Sequence, residues 1–209
     1  MMESTRTDDQ ELQVLVAAGF TADHLQNILR LEKECFPPGW QYPAAAEDYT
    51  AALNDPGNVH VFLRVGRATI GYLLAAPFNA VLPELLEADP ELREEVGKFY
   101  IETIQILPAH QGRGGARRLL ERACAEGEKR GIVKFAIHAR TANGFNEKIK
   151  RIFGDAISFS RKIEKWQWAG GEPYEYLEWV WLWVQPRKNT LDAKQHWKLF
   201  SKRVSCLIP

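Results

Sequence analysis

The sequence has few of the residues that build disulfides or metal sites. It contains three cysteines in 209 residues, namely Cys35, Cys124 and Cys206. Their number is odd, they are widely separated, and none has the Cys-x-x-Cys or Cys/His spacing of a zinc site. We therefore expect free thiols in a reducing compartment and no metal centre.

Long apolar runs and an excess of one charge are also missing. No segment approaches the roughly 18 consecutive apolar residues of a membrane span. Residues 1–10 are polar and acidic, unlike a secretory signal. The 27 lysines and arginines balance 27 aspartates and glutamates, which argues against recruitment by nucleic acid or anionic lipid. These absences predict a cytoplasmic protein with no nucleic-acid or membrane partner.

What is present is the composition of a folded domain. Hydrophobic residues make up 45% of the chain and charged residues 26%, and no repeat or low-complexity tract occurs. We expect one compact domain over residues 11–185, preceded by a polar segment at 1–10 and followed by a basic tail at 186–209.

Residues 99–118 form the most informative segment. Their sequence, FYIETIQILPAHQGRGGARR, alternates like a strand, stops at Pro108, and continues through a glycine-rich loop into an amphipathic helix. Glycines allow backbone N–H groups to approach an anion closely, and the first turn of a helix leaves such donors unpaired. The order of strand, loop and helix therefore predicts a pyrophosphate site built from main chain.

Two common nucleotide motifs do not fit this loop. Gly112, Gly114 and Gly115 lack the G-x-G-x-x-G spacing of a dinucleotide fingerprint, and Gly115-Ala116-Arg117 is not the Gly-Lys-Ser/Thr end of a Walker A loop. The cofactor is therefore of another kind.

The remaining elements follow from hydrophobic periodicity and turn residues. Strands are predicted at 11–17, 59–65, 69–76, 132–139, 156–168 and 174–184, and helices at 22–35, 44–53, 112–130 and 143–153. Residues 77–97 suggest one or two short helices interrupted at Pro90, in a lid or a substrate-facing insertion.

Together these features resemble the GNAT superfamily of N-acetyltransferases. The family's acyl-coenzyme A loop has Gln or Arg, two residues, Gly, one residue, then Gly or Ala, and Gln111, Gly114 and Ala116 occupy those positions. Residues 101–108 resemble the family's fourth strand and 140–143 the segment that opens its next helix, which Gly154 ends. The resemblance covers about residues 11–184.

The resemblance implies an α/β (α+β) fold. Its sheet is mixed, mostly antiparallel and twisted, with helices on both sides. The fourth and fifth strands are parallel and splay apart, and acetyl-coenzyme A binds between them as cosubstrate.

The resemblance also implies which residues bind acetyl-coenzyme A. Main chain at 104–107 would pair with the pantetheine arm, and loop amides would hold the pyrophosphate, with Arg113 or Arg117 adding charge. Asn143 stands at the family's asparagine position, where a plain helix cap is the alternative. The full predicted set is Ile104, Gln105, Ile106, Gln111, Gly112, Arg113, Gly114, Gly115, Ala116, Arg117 and Asn143.

The implied reaction is direct attack of a primary amine on the thioester, assisted by a general base. Glu102 is the first candidate base because it interrupts an apolar strand, where burial raises proton affinity. His138 is the second, since histidine titrates near neutral pH. Each also has a purely structural interpretation, as a carboxylate bonded within the sheet or a satisfied core histidine.

The general acid departs from the family pattern. Many members carry a tyrosine four residues before the glycine that closes this helix, but here the position is Lys150. Tyr100, Tyr174 and Tyr176 are alternative donors, each of which also reads as a packing residue. Lys150 itself reads as a solvated residue or a cofactor contact.

Two further groups have open interpretations. The tryptophans at 166, 168, 179, 181 and 183 are interpreted either as packing residues of the core or of a dimer interface, or as an aromatic wall that holds a ligand. The second group is Glu172, Glu175 and Glu178. These glutamates either lie on a solvated edge of the sheet or attract a polyamine or a basic peptide. The acceptor is expected to be a small-molecule or peptide amine. A homodimer, another acyl donor, and an acyl-coenzyme A sensor or interaction module without catalysis stay open.

Overall fold

The computed structural model describes residues 11–166 and 170–181. Seven strands form one sheet, in the order β1-β2-β3-β4-β5-β7-β6. The strands are β1 Leu12–Val16, β2 Val59–Val65, β3 Ala68–Pro77, β4 Lys98–Ile106, β5 Lys134–Arg140, β6 Ile157–Trp166 and β7 Glu172–Val180. The helices are α1 Ala22–Cys35, α2 Ala45–Asn54, α3 Phe78–Ala88, α4 Gly115–Lys129 and α5 Phe145–Phe153. Within the described part, none of these helices is long and apolar enough to cross a membrane.

Strand pairing positions the site. All neighbouring strands in the described sheet run antiparallel except β4 and β5, which pair in parallel only between Lys98–Tyr100 and Lys134–Ala136. Beyond these three positions the two strands separate. This confirms the predicted mixed sheet with one splayed parallel pair.

Helices cover both faces of the sheet. On one face, α4 and α5 bury Leu119 and Ile149 in a core with Phe135 and Trp179. On the other, α1 and α2 pack on β2 and β3, and α3 packs beside Tyr100. Both faces of β7 are therefore covered, with Leu177 in one core and Tyr176 in the other.

Several boundaries differ from the sequence-based prediction for local reasons. The loop helix begins at Gly115 rather than at residue 112 because Gly112 and Gly114 have φ of +78° and +79°. In the same way α5 begins at Phe145, after Gly144 with φ of +68°. Residues 77–97 form one helix, α3, followed by an irregular segment from Asp89 onward. The predictions for segments 1–10 and 186–209 and for Trp168 and Trp183 fall outside the described residues.

Candidate active site

The separation of β4 from β5 opens a cleft of about 760 Å³. Its walls come from β4, the loop after it, the first turn of α4, β5 and the start of α5. All the residues predicted to bind the cofactor line it except Arg113, which lies in the loop between two of the lining glycines.

The main chain of β4 faces this cleft at alternate residues. The N–H of Leu107 donates to the Ile70 carbonyl on β3. Because successive peptide groups of a strand point in opposite directions, Ile104 and Ile106 present their N–H and C=O groups towards β5. The Gln111 side chain donates to the Ile106 carbonyl at 2.9 Å, which ties the loop to the strand.

Gln105 has the opposite orientation. Its main chain faces β3, and its side-chain nitrogen donates to the buried carboxylate of Glu32 at 2.6 Å. Tyr49 donates to the same carboxylate oxygen at 2.7 Å. Gln105 therefore joins β4 to α1 and α2, and its main-chain N–H and C=O groups point towards β3 and away from β5.

The first turn of α4 offers unpaired donors. Gly114 is its N-cap and supplies no side-chain cap, and the first helical bond runs from the Arg118 N–H to the Gly114 carbonyl. The amides of Gly115, Ala116 and Arg117 therefore point out of the helix end, where an anion is favoured. These residues fit a pyrophosphate held by main chain.

Close packing places this turn against the sheet. A Cβ added to Gly115 would lie 2.6 Å from Leu63 Cδ2 and 3.2 Å from Ile106 Cδ1. A larger residue would force Leu63 to shift, so glycine lets the amides stand close to the end of β4.

Positive charge surrounds the cleft. Arg117, Arg140, Lys148 and Arg151 line it. Arg140 is fixed by a double hydrogen bond to Glu172, at 2.5 and 2.7 Å, and its guanidinium lies 3.8 Å from the Trp40 ring centroid. Arg117 also pairs with Glu121.

Asn143 accepts a hydrogen bond from the Phe145 N–H at 3.0 Å and lines the cleft as well. The structure thus places it at the start of α5, where the helix-cap and cofactor-contact interpretations are compatible.

A β-bulge displays Glu102. Thr103 pairs with Leu74 and Ile101 pairs with the next residue, Ala75, so Glu102 has no partner on β3. A bulge of this kind re-aims a side chain. Burial, with added repulsion from Glu84 and Asp55, raises the pKa of Glu102 to about 7.

His138 lies on β5, buried with both ring nitrogens engaged. Nε2 contacts the Asp89 carboxylate at 3.0 Å and Nδ1 contacts the Tyr100 hydroxyl at 2.9 Å. Burial lowers the pKa of His138. Although burial opposes it, hydrogen bonds from His138 and Arg161 hold the pKa of Asp89 at about 2. Nε2–H therefore donates to an ionised carboxylate, and Nδ1 accepts from the Tyr100 hydroxyl.

A second cavity of about 750 Å³, which we call the acceptor chamber, adjoins the cleft. It lies between α2, α3 and β4, and its walls also include Trp166 near the end of β6. The residues shared by the two cavities are Phe36, Trp40, Glu102, Thr103, His138 and Tyr174. Both candidate bases thus stand where the cavities meet.

Comparison of the sequence with known families agrees with this geometry. The family model of the GNAT acetyltransferases matches residues 25–149, more than half of the chain. The chain belongs to the GNAT acetyltransferase family. It is therefore an acyltransferase, and the matched part contains the β4 strand, the α4 loop and both candidate bases.

Solved structures with this fold are numerous and distant in sequence. The ribosomal-protein-S18-alanine N-acetyltransferase from Escherichia coli is 13% identical, with a TM-score of 0.56 over 86% of this chain and 100% of that chain. The PaiA N-acetyltransferase from Thermoplasma acidophilum, in complex with coenzyme A, is 9% identical, with a TM-score of 0.55 over 80% and 99%.

A spermidine N-acetyltransferase SpeG chimera from Vibrio cholerae and hSSAT is 17% identical, with a TM-score of 0.59 over 83% of this chain and 99% of that chain. At such identities these likenesses show the fold alone. A comparison with curated protein sequences gives no match.

Several polar residues of this GNAT chain have partners that the sequence did not indicate. Lys150 pairs with Glu175 at 2.8 Å and with Glu147 at 3.2 Å on a partly exposed helix face, and it does not belong to the cleft wall. Glu178 pairs with the buried Lys98 at 2.7 Å. Since Glu172 holds Arg140, the acidic residues of the last hairpin are engaged in ion pairs and do not form a solvated edge.

The aromatic residues divide between packing and the site. Trp179 is buried against Phe153, with ring centroids 4.3 Å apart, and Trp181 donates to Glu128 at 2.8 Å. Trp166 instead lies 4.2 Å from the His138 ring and lines the acceptor chamber.

Sequence reasoning missed Asp89, which contacts His138, and Arg161, which pairs with Asp89. It also missed Asp48 and Glu84, which line the chamber. These four residues come from four different elements or loops, and no local motif marks them.

Proposed function

We propose that this chain transfers the acetyl group of acetyl-coenzyme A to a primary amine, with Glu102 as the general base. One observation carries the proposal. The half-buried Glu102, whose pKa is raised to about 7, stands where the basic cleft meets the acceptor chamber. A base with a pKa near the working pH is best matched to proton transfer.

The residues of the cleft fit coenzyme A. The uncapped amides at residues 115–117 would hold its pyrophosphate, and the main chain of Ile104 and Ile106 would pair with its amide-containing arm. When bound, the cosubstrate supplies an acyl carbon already activated by its thioester. Binding to coenzyme A in the T. acidophilum structure, which has the same fold, supports this assignment.

The proposed step is direct. The acceptor nitrogen forms a bond to the acyl carbon, the carbon–sulfur bond breaks, and the electron pair leaves with the thiolate. The nitrogen's proton passes to a carboxylate oxygen of Glu102, directly or through one water. A main-chain N–H of β4 that faces the cleft stabilises the oxyanion.

His138 has a narrower route to the reaction. Since Asp89 and Tyr100 occupy its two nitrogens, it accepts a substrate proton only through the Tyr100 hydroxyl. We therefore assign Glu102 as the base and keep His138 as the alternative that acts through Tyr100. Tyr174, which lines both cavities, is the candidate for protonating the thiolate, whereas Tyr100 lines only the acceptor chamber and donates its hydroxyl hydrogen bond to His138.

Thiol release from acetyl-coenzyme A with a panel of primary amines tests the proposal. Turnover that Glu102→Gln abolishes, while coenzyme A affinity is retained, supports it. The Glu47→Gln variant, at an exposed position of α2 outside both cavities, is the matched control. Coenzyme A binding without turnover of any amine would favour the sensor, and turnover only of a longer thioester would favour another acyl group.

A further inference from the structure

The two cavities that meet at Glu102 carry opposite charges. The cleft is lined by three arginines and a lysine, and Glu102 is its one carboxylate among the described residues. The walls of the acceptor chamber, in residues 11–166 and 170–181, hold Asp48, Glu84 and Glu102 but neither lysine nor arginine. The histidine that they share is kept neutral by burial, which lowers its pKa.

The three carboxylates occupy different depths of the chamber. Asp48 on α2 and Glu84 on α3 are exposed, whereas Glu102 is half-buried in the β4 bulge. The two exposed carboxylates thus stand at the mouth and Glu102 at the inner end. Within the described residues, Glu102 and Glu84 have no hydrogen bond or ion pair, so their charge is not neutralised locally.

The charges act on one another across the chamber. After burial, Glu84 is the first cause that raises the pKa of Glu102. Burial and then Glu102, Glu32, Glu84 and Asp48 raise the pKa of Tyr42, another lining residue. Negative charge therefore acts on the chamber from Asp48, Glu84 and Glu102. At the border with the cleft, Arg140 acts in the opposite sense on Tyr174, where it opposes the rise in pKa that burial causes.

The walls between the carboxylates are aromatic. Trp40, Tyr42, Trp166 and Tyr174 contribute to them. Aromatic rings attract cations, and they also pack against the methylene groups that separate two cationic amines of one molecule. The volume of about 750 Å³ is that of a small-molecule site.

We propose that the acceptor is a linear small-molecule diamine or polyamine. One amine would lie at Glu102 for acetylation, while a second, cationic amine is held at the mouth by Asp48 and Glu84. This inference rests on the proposed function and specifies its substrate class. It differs from the hairpin glutamates considered from sequence, since those are engaged in ion pairs.

Steady-state kinetics with putrescine and butylamine, which share a four-carbon chain and differ in the second amine, test the inference. Assays are run well above the pKa of Glu102, so that its ionisation is complete in every variant. We expect kcat/KM for putrescine to exceed that for butylamine by about tenfold or more, since one close charge pair near a surface is enough for that ratio.

Rim variants locate the second amine. Asp48→Asn and Glu84→Gln are expected to raise KM for putrescine severalfold and leave butylamine unchanged. Glu47→Gln and Glu87→Gln, exposed on the same two helices but outside the chamber, should leave both substrates unchanged. Equal use of the two amines, indifference of putrescine to the rim variants, or faster turnover of a lysine peptide would overturn the inference.

Calorimetric titration of spermidine into the full chain with coenzyme A separates this inference from the proposed function. Spermidine that binds, and binds more weakly to Glu84→Gln, supports the chamber assignment even where no turnover is seen. Absence of binding overturns it even if another amine is acetylated.

Discussion

The hydroxyl of Tyr100 lies 2.9 Å from Nδ1 of His138, in a buried site where β4 and β5 have just begun to separate. Since the Asp89 carboxylate accepts the hydrogen bond from Nε2–H, this contact makes Tyr100 the donor and fixes the histidine tautomer. Both residues line the acceptor chamber.

Removing the Tyr100 hydroxyl separates the two candidate bases. With Glu102 as the base, Tyr100→Phe is expected to keep kcat close to that of the parent. It should lose roughly 1–3 kcal/mol of stability, because the buried Nδ1 acceptor is left without a donor. Urea unfolding and initial rates measure the two effects. A loss of kcat as large as that of Glu102→Gln would assign the proton to His138 instead.

The pH profile should report Glu102. Because only the ionised carboxylate accepts a proton, kcat/KM is expected to rise through an apparent pKa near 7. The charge of Glu84 contributes to this raised pKa. Glu84→Gln should therefore move the rising limb of the pH profile to lower pH, and Glu87→Gln should not. Rates with butylamine over a pH series measure the limb. An unmoved limb in Glu84→Gln would contradict this electrostatic account.

The ionised Glu102 carboxylate should also lower the free energy of unfolding. Its folded pKa of about 7 exceeds an unfolded value of roughly 4.3, so the native state binds more protons between these limits. Stability therefore falls as pH rises from about 4.3 to 7, and the loss is complete above 7. Glu102→Gln removes that slope and should add roughly 1–3 kcal/mol above pH 7. Urea unfolding on both sides of this window measures it. A variant less stable than the parent at high pH would argue against the raised pKa.

Local sequence signals predicted much of the fold. Thr21 caps α1 by accepting from the His24 N–H, and the helix occupies Ala22–Cys35 as predicted. Turn residues delimit β2 equally well at Val59–Val65. The cofactor loop could be found because its chemistry is local, with strand end, glycines and helix start adjacent in the chain.

The acceptor side could not be predicted in the same way. The bulge at Glu102 exists only as a register shift between β3 and β4, which no single segment encodes. Asp89 and Arg161 contact each other although they are 72 residues apart in the chain. Glu84 lies on a helix whose position over the sheet is set by packing. Such contacts depend on tertiary structure, and local patterns in a single sequence do not predict them.

The contact between α4 and the sheet makes a last prediction about the pyrophosphate site. Gly115→Ala adds a Cβ that would lie 2.6 Å from Leu63 Cδ2, and Leu63 is fully buried. Overpacking of this kind costs roughly 1–3 kcal/mol, and it would also shift the amides away from the end of β4. We therefore expect lower stability together with weaker coenzyme A binding, measured by urea unfolding and calorimetry. Leu63→Val removes the atom in conflict, so the double variant should be more stable than the sum of the two single changes predicts. Strict additivity would show that the helix accommodates the methyl group by another movement, and that this contact does not set the position of the amides.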